Sequence, residues 1–143
     1  MNFIRNHALS VSVFALALGL GASVANAQGL RGTFNLPFQA HWGNAVLEPG
    51  EYALRLSRGA SNFPLIYVSR QGKTIMVVAG TSEKTESERS YLRIEDVGQV
   101  HVVREFSSGV AGTLYSFSIP KSIKNHIGIA QNRTLPVAPS AGN

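Results

Sequence analysis

The residues best suited to chemistry in this chain are His41, His101 and His126, the lone Asp96, the glutamates and a few serines. A metal centre needs several of them to converge on one ion at bonds of about 2 Å. There is no Cys, and none of these histidines has another His two or four residues away. On an extended strand His101 and Glu105 would share a face, yet at the strand rise they would stand ~13 Å apart, too far to chelate one ion. Each His therefore reads as a surface or half-buried polar residue. No metal or other cofactor is expected.

Nucleophilic catalysis finds no better footing. The chain has no Gly-x-Ser-x-Gly elbow, and Ser107, Ser108 and Ser116 have no His nearby in sequence. Glu95 and Asp96 are neighbours, so on a strand they point to opposite faces. Glu83, Glu86 and Glu88 are interleaved with Lys84 and Arg89 and lack EF-hand spacing; they read as a solvated charged loop, offering weak Ca²⁺ binding at most. Gly59, Gly72, Gly80, Gly98, Gly109 and Gly112 are spaced as turns, not as a phosphate-cradling loop. A non-enzymatic domain is expected. The enzymatic alternative is a hydrolase whose site is assembled from distant strands, with His41, His101 and a carboxylate in one cleft.

One segment is dense in large side chains: "FNLPFQAHWGNAVLEPGEY", residues 34–52, which holds the only Trp. Phe38, Trp42 and Tyr52 could line an apolar mouth, with His41 and Arg55 as polar contacts for a small ligand. The competing reading is that the aromatics fill the core, where each adds roughly 1.5–3 kcal/mol. Phe34, Leu36, Phe38, Ala40 and Trp42 alternate in phase along an extended chain, which favours the core.

These residues must be positioned by a small domain. Arg5, the uncharged run Ala8–Leu20 and the small residues of Ala25-Asn26-Ala27 form the pattern of a secretory signal peptide, with cleavage between Ala27 and Gln28. The apolar run is too short for a membrane span, which needs ~20 such residues. Cleavage would leave roughly 116 of the 143 residues, the size of one domain, and an exported protein, periplasmic or extracellular. The basic residues spread from Arg31 to Arg133 without a run, so nucleic acid is not an expected partner. The excess of positive charge biases the protein toward anionic surfaces.

Period-2 alternation recurs, and helical periodicity is nearly absent. Strands are expected at Phe34–Trp42, Ala45–Leu47, Tyr52–Ser57, Leu65–Arg70, Thr74–Ala79, Tyr91–Glu95, Gln99–Phe106 and Thr113–Ile119. Pro37 cannot donate to a ladder, so the first should carry an edge or a bulge there. Glu48-Pro49-Gly50-Glu51 has the sequence of a type II turn. "TIMVVA", apolar on both faces, is expected to be a covered central strand. One helical turn is expected at Ser122–Ile127, and a mobile tail from Asn132 to Asn143. The expected fold is all-β: a single antiparallel meander of seven or eight short strands over residues 28–131, closed as a small barrel or packed as a sandwich.

"FNLPFQAHWGNAVLEPGEYALRLS" resembles a functionally uncharacterised group of small secreted bacterial proteins. These carry an F-x-[VL]-P-F segment, a Gly-Asn turn and an L-x-[PA]-G-x-Y turn. "LYSFSIPKSIK" resembles the same group's closing strand and its Pro-Lys-Ser ending. The resemblance runs from Thr33 to Lys124, implies a secreted β-rich domain and carries over no catalytic residue. "LEPGEYALRL" also resembles a hairpin of transthyretin-like and other Ig-like sandwich modules, where that turn comes late in the domain. The functional expectation is a secreted or periplasmic binding or envelope-associated module. Its alternative is a carrier of a small apolar molecule in a barrel interior.

Overall fold

The computed structural model describes residues 30–58, 63–124 and 131–140. The expected cleavage site at Ala27 and Gln28 and the second half of the expected helical turn lie outside them. Two sheets make up the described fold, and they do not close into a barrel. The first runs β12 (Ala138–Pro139), β1 (Arg31–Leu36), β4 (Gly50–Arg58), β5 (Pro64–Arg70), β6 (Lys73–Val78). The second runs β11 (Gln131–Pro136), β8 (Tyr91–Val97), β9 (Val100–Ser108), β10 (Thr113–Ser116), β7 (Thr81–Lys84). To it β2 (Ala40–Trp42) and β3 (Ala45–Leu47) are added through β9.

Alternation selects which residues face inward. Phe34, Leu36, Tyr52, Leu54, Leu56, Ile66, Val68 and Val77 come from the first sheet. Ala40, Trp42, Leu47, Leu92, Ile94, Val103, Phe106 and Tyr115 come from the second, and all join one buried cluster. Trp42 and Phe106 are wholly buried. Trp42 sits edge-on to Phe34 and Phe117, and Phe34 stacks on Tyr52, geometries that aromatic pairs favour. A smaller cluster of Val97, Val102 and Ile123 forms on the other face of β9.

The meander holds only within each half. β4, β5 and β6 are consecutive antiparallel strands, as are β8, β9 and β10. Between them the chain changes sheets repeatedly. The expected strand Phe34–Trp42 breaks at Pro37, where a ladder donor is missing. β1 stays in the first sheet, and β2 pairs with β9 in parallel in the second. Glu48-Pro49 then returns the chain from β3 to β4. This is a corner between sheets and not a type II hairpin turn: Gly50 has φ +146° and pairs with Leu36. Such corners divide the expected strands, and short added pairings raise the number of strands to twelve among the described residues.

Two further expectations are corrected. β6 is the edge of the first sheet, with Met76 and Val78 more than half exposed. Two of its outward residues, Met76 and Val78, are apolar, but no second layer covers that face among the described residues. The described part of the expected tail is mostly sheet: β11 pairs with β8 from Gln131↔Asp96 to Pro136↔Tyr91, and β12 pairs with β1. Val137, buried between them, anchors the crossing from one sheet to the other, and its amide donates to the Ser90 carbonyl. At the far end, the Ile123 and Lys124 amides donate to the Pro120 carbonyl in a single turn.

Candidate functional site

The tight β8–β9 hairpin, closed by the pair Val97↔Val100, places Asp96 directly opposite His101. Paired residues share a face, so the His101 Nδ1 lies 2.6 Å from Asp96 Oδ1. Arg133, on β11, donates from Nε to Asp96 Oδ2 at 2.8 Å. Phe38, in the corner after Pro37, covers the group: its ring centre is 4.0 Å from that of His101, and the Arg133 guanidinium lies 5.4 Å from it. Burial pushes the Asp96 carboxyl up. The hydrogen bonds from His101 and then Arg133, with their charges, outweigh it and hold the group below the usual carboxylate range.

An Asp–His pair is two-thirds of a catalytic triad. The third part is lacking among the described residues: the one side-chain hydrogen-bond partner of His101 is Asp96. Neither residue lines the hollows described below. No group of three or more His, Asp or Glu side chains able to hold a metal ion forms among the described residues. Glu105 does not join His101 either. A bulge makes Arg104 an extra residue, because Arg93 pairs with Glu105 while the next residue, Ile94, pairs with Val103. Beyond that point the faces are exchanged, and Glu105 pairs with Arg93 on the outer face.

The five side chains expected to line a mouth do not converge. Trp42 is in the core, with its indole N–H buried and unpartnered. Tyr52 is buried against Phe34, and its hydroxyl donates to the Glu48 carbonyl at 2.7 Å. Phe38 caps His101. His41 pairs with Val102, one position along from the Ala40↔His101 pair, so the two histidines project from opposite faces of the second sheet. Arg55 points away from Tyr52, outward from the first sheet.

Arg55 does line a hollow. On the outer face of the first sheet, cross-strand register makes a row Arg31–Arg55–Tyr67–Met76, with Thr33–Ala53–Ser69–Thr74 beside it. The Cβ-only side chain of Ala53 leaves an open depression of about 400 Å³ among Arg31, Arg55, Tyr67, Ser69, Thr74 and Ser140. Arg55 lies over the Tyr67 ring at 4.9 Å, a cation–π contact that fixes its guanidinium. Ser69 and Thr74 share a hydrogen bond of 3.0 Å. Sequence reasoning missed this site because its residues come from four strands. The one available signal was the polar alternate positions of each strand.

Two other open hollows flank Phe117–Ile119. The larger, about 610 Å³, has Lys121 as its one charged lining residue. The smaller, about 320 Å³, contains Arg104, which is already engaged by Glu95 and the Phe117 carbonyl. The chain matches no protein-family model, and no curated protein or solved structure is significantly similar to it.

Proposed function

We propose that this domain is a non-enzymatic binding module, exported to the periplasm or beyond. Its ligand site is the hollow over Ala53. The observation that carries this reading is the separation of features a catalyst would combine. The Asp96–His101 pair is roofed by Phe38 and lines none of the three hollows described above, while the hollow over Ala53 holds hydrogen-bonding and charged side chains with no acid–base pair. Such a surface can hold a molecule but has nothing to activate it with. The pattern Arg5, Ala8–Leu20, Ala25-Asn26-Ala27 supports export. No helix among the described residues is long and apolar enough to cross a membrane. The inner faces filled by Trp42, Phe106 and their neighbours weigh against the apolar-carrier alternative, which needs an interior cavity.

The test is a thermal-shift screen of soluble envelope metabolites and glycans against the wild-type protein and Ala53→Trp. Ala53 is exposed on a strand, so a Trp there is compatible with the fold and fills the hollow. A ligand that raises the wild-type melting temperature and leaves the variant unchanged supports the reading. Equal shifts in both proteins would reject it.

A further inference from the structure

We infer that the hollow over Ala53 is an oxyanion site, built for a phosphate or carboxylate carried on a hydroxyl-rich, sugar-like scaffold. The inference rests on the binding reading above and names its ligand class.

Arg31 and Arg55 are directly opposite each other on β1 and β4. Like charges in that relation repel, because their Cβ atoms are only ~5 Å apart. Among the described residues no carboxylate relieves this pair. All eight acidic side chains lie within the described residues, and neither arginine forms an ion pair with any of them. The nearest outward carboxylate on the same strand is Glu51, four residues from Arg55 or ~13 Å along the strand. Asp96, Glu95 and Glu105 are taken by Arg133, Arg104 and Arg93 on the second sheet.

An oxyanion placed between the two guanidiniums turns their repulsion into paired charge-assisted hydrogen bonds, for which the planar guanidinium fork is suited. Arg55 is held in place over Tyr67, so less freedom is lost on binding. The remaining wall sets the rest of the ligand. Ser140 lies beside Arg31 at one end of the hollow, Ser69 and Thr74 lie across Ala53 at the other, and all three carry hydroxyls. Hydroxyls at both ends of the hollow match a polyol better than an apolar body. The hollow is open to solvent, which admits a residue within a polymer as well as a free sugar.

Isothermal titration of the mature chain with glucose 6-phosphate, trigalacturonate, inorganic phosphate and glucose tests this. Glucose 6-phosphate or trigalacturonate should bind at least about tenfold more tightly than inorganic phosphate or glucose, and the affinity should fall with added salt. Preference for the monomer phosphate identifies a free sugar phosphate, and preference for the uronate oligomer identifies an acidic polysaccharide. Arg31→Gln and Arg55→Gln should each weaken binding about tenfold or more, with unchanged circular dichroism, while Lys84→Gln should not. Glucose binding as tightly as its phosphate, affinity unchanged in the Arg31→Gln/Arg55→Gln double variant, or no binding of any probe would overturn the assignment. A screen ligand kept by the double variant but lost by Ala53→Trp would sink the oxyanion assignment and leave the binding reading standing. Ligands kept by both variants would sink both.

Discussion

Asp96 and His101 meet at 2.6 Å one step in from the closing pair of the β8–β9 hairpin, and Arg133 of β11 binds the other oxygen of the same carboxylate. A single side chain thus ties the hairpin to the last long strand. Because the Asp96 carboxyl is held below its ordinary value, its contribution to stability is complete above the unfolded value of ~3.9 and is lost as pH falls through the lower, folded value. Asp96→Asn should lower stability at neutral pH by about 1–3 kcal/mol, since two donors lose a charged acceptor. It should also flatten the loss of stability on the acid side. Urea unfolding between pH 7 and pH 2.5 checks both. A variant with the same acid limb as the wild type would mean that Asp96 does not govern it.

Gly50 occupies a left-handed backbone conformation at the corner between β3 and β4. A side chain there would also meet the Arg70 guanidinium at 2.7 Å, where it crosses toward the Tyr52 ring. Gly50→Val should cost more than ~1 kcal/mol, because a β-branched residue resists positive φ. Gly109 presents a different constraint. A Cβ there would lie 2.2 Å from the Glu88 carbonyl oxygen, and backbone cannot swing aside as Arg70 can. Gly109→Ala should therefore also destabilise, by separating the 85–90 segment from the β9–β10 turn. Melting temperatures of both variants, and faster amide exchange at Ser90 and Gly109 in the second, would check these outcomes.

Trp42 is the sole Trp, so it reports on the core without interference. Its complete burial predicts blue-shifted emission in the folded state that moves red in one step with urea, coincident with circular dichroism. Trp42→Ala should cost about 3–5 kcal/mol through the cavity it leaves between Phe34 and Phe117. Trp42→Phe should cost much less, because a phenyl ring fills most of that cavity, and like Ala it leaves no unpartnered buried N–H. Equal losses from the two variants would show that the volume left empty does not set the cost.

The local content of the fold was legible in the sequence. Alternation placed Phe34, Leu36, Trp42, Tyr52, Leu54 and Leu56 inward, and Gln71-Gly72 turns as expected, with positive φ at both residues. What could not be read was which strands meet. Arg31 and Arg55 are 24 positions apart and become neighbours only through the β1–β4 register. The bulge at Arg104 leaves no mark in sequence, yet it separates Glu105 from His101. β11 was hidden because Leu135 is its only large apolar residue, set among polar residues and a proline.

β6 differs from the other long-sheet edges. Natural edge strands are protected by charges, prolines, bulges or short length. β12 is two residues long and ends in Pro139, β11 carries Arg133 and Pro136, and β7 carries Glu83 and Lys84. β6 has none of these between Thr74 and Val78: its register with β5 is uninterrupted, and Met76 and Val78 stand exposed. Such a strand, with high β-propensity and no charge, is a template for pairing with another chain. Met76→Lys places a charge on the exposed face at little cost to the core, since Met76 is 56 % exposed. The variant should melt within about 0.5 kcal/mol of the wild type and aggregate more slowly on mild heating. Light scattering against time, at matched distance below each melting temperature, is the deciding measurement. Equal aggregation rates would locate the hazard in the unfolded chain and not in this edge.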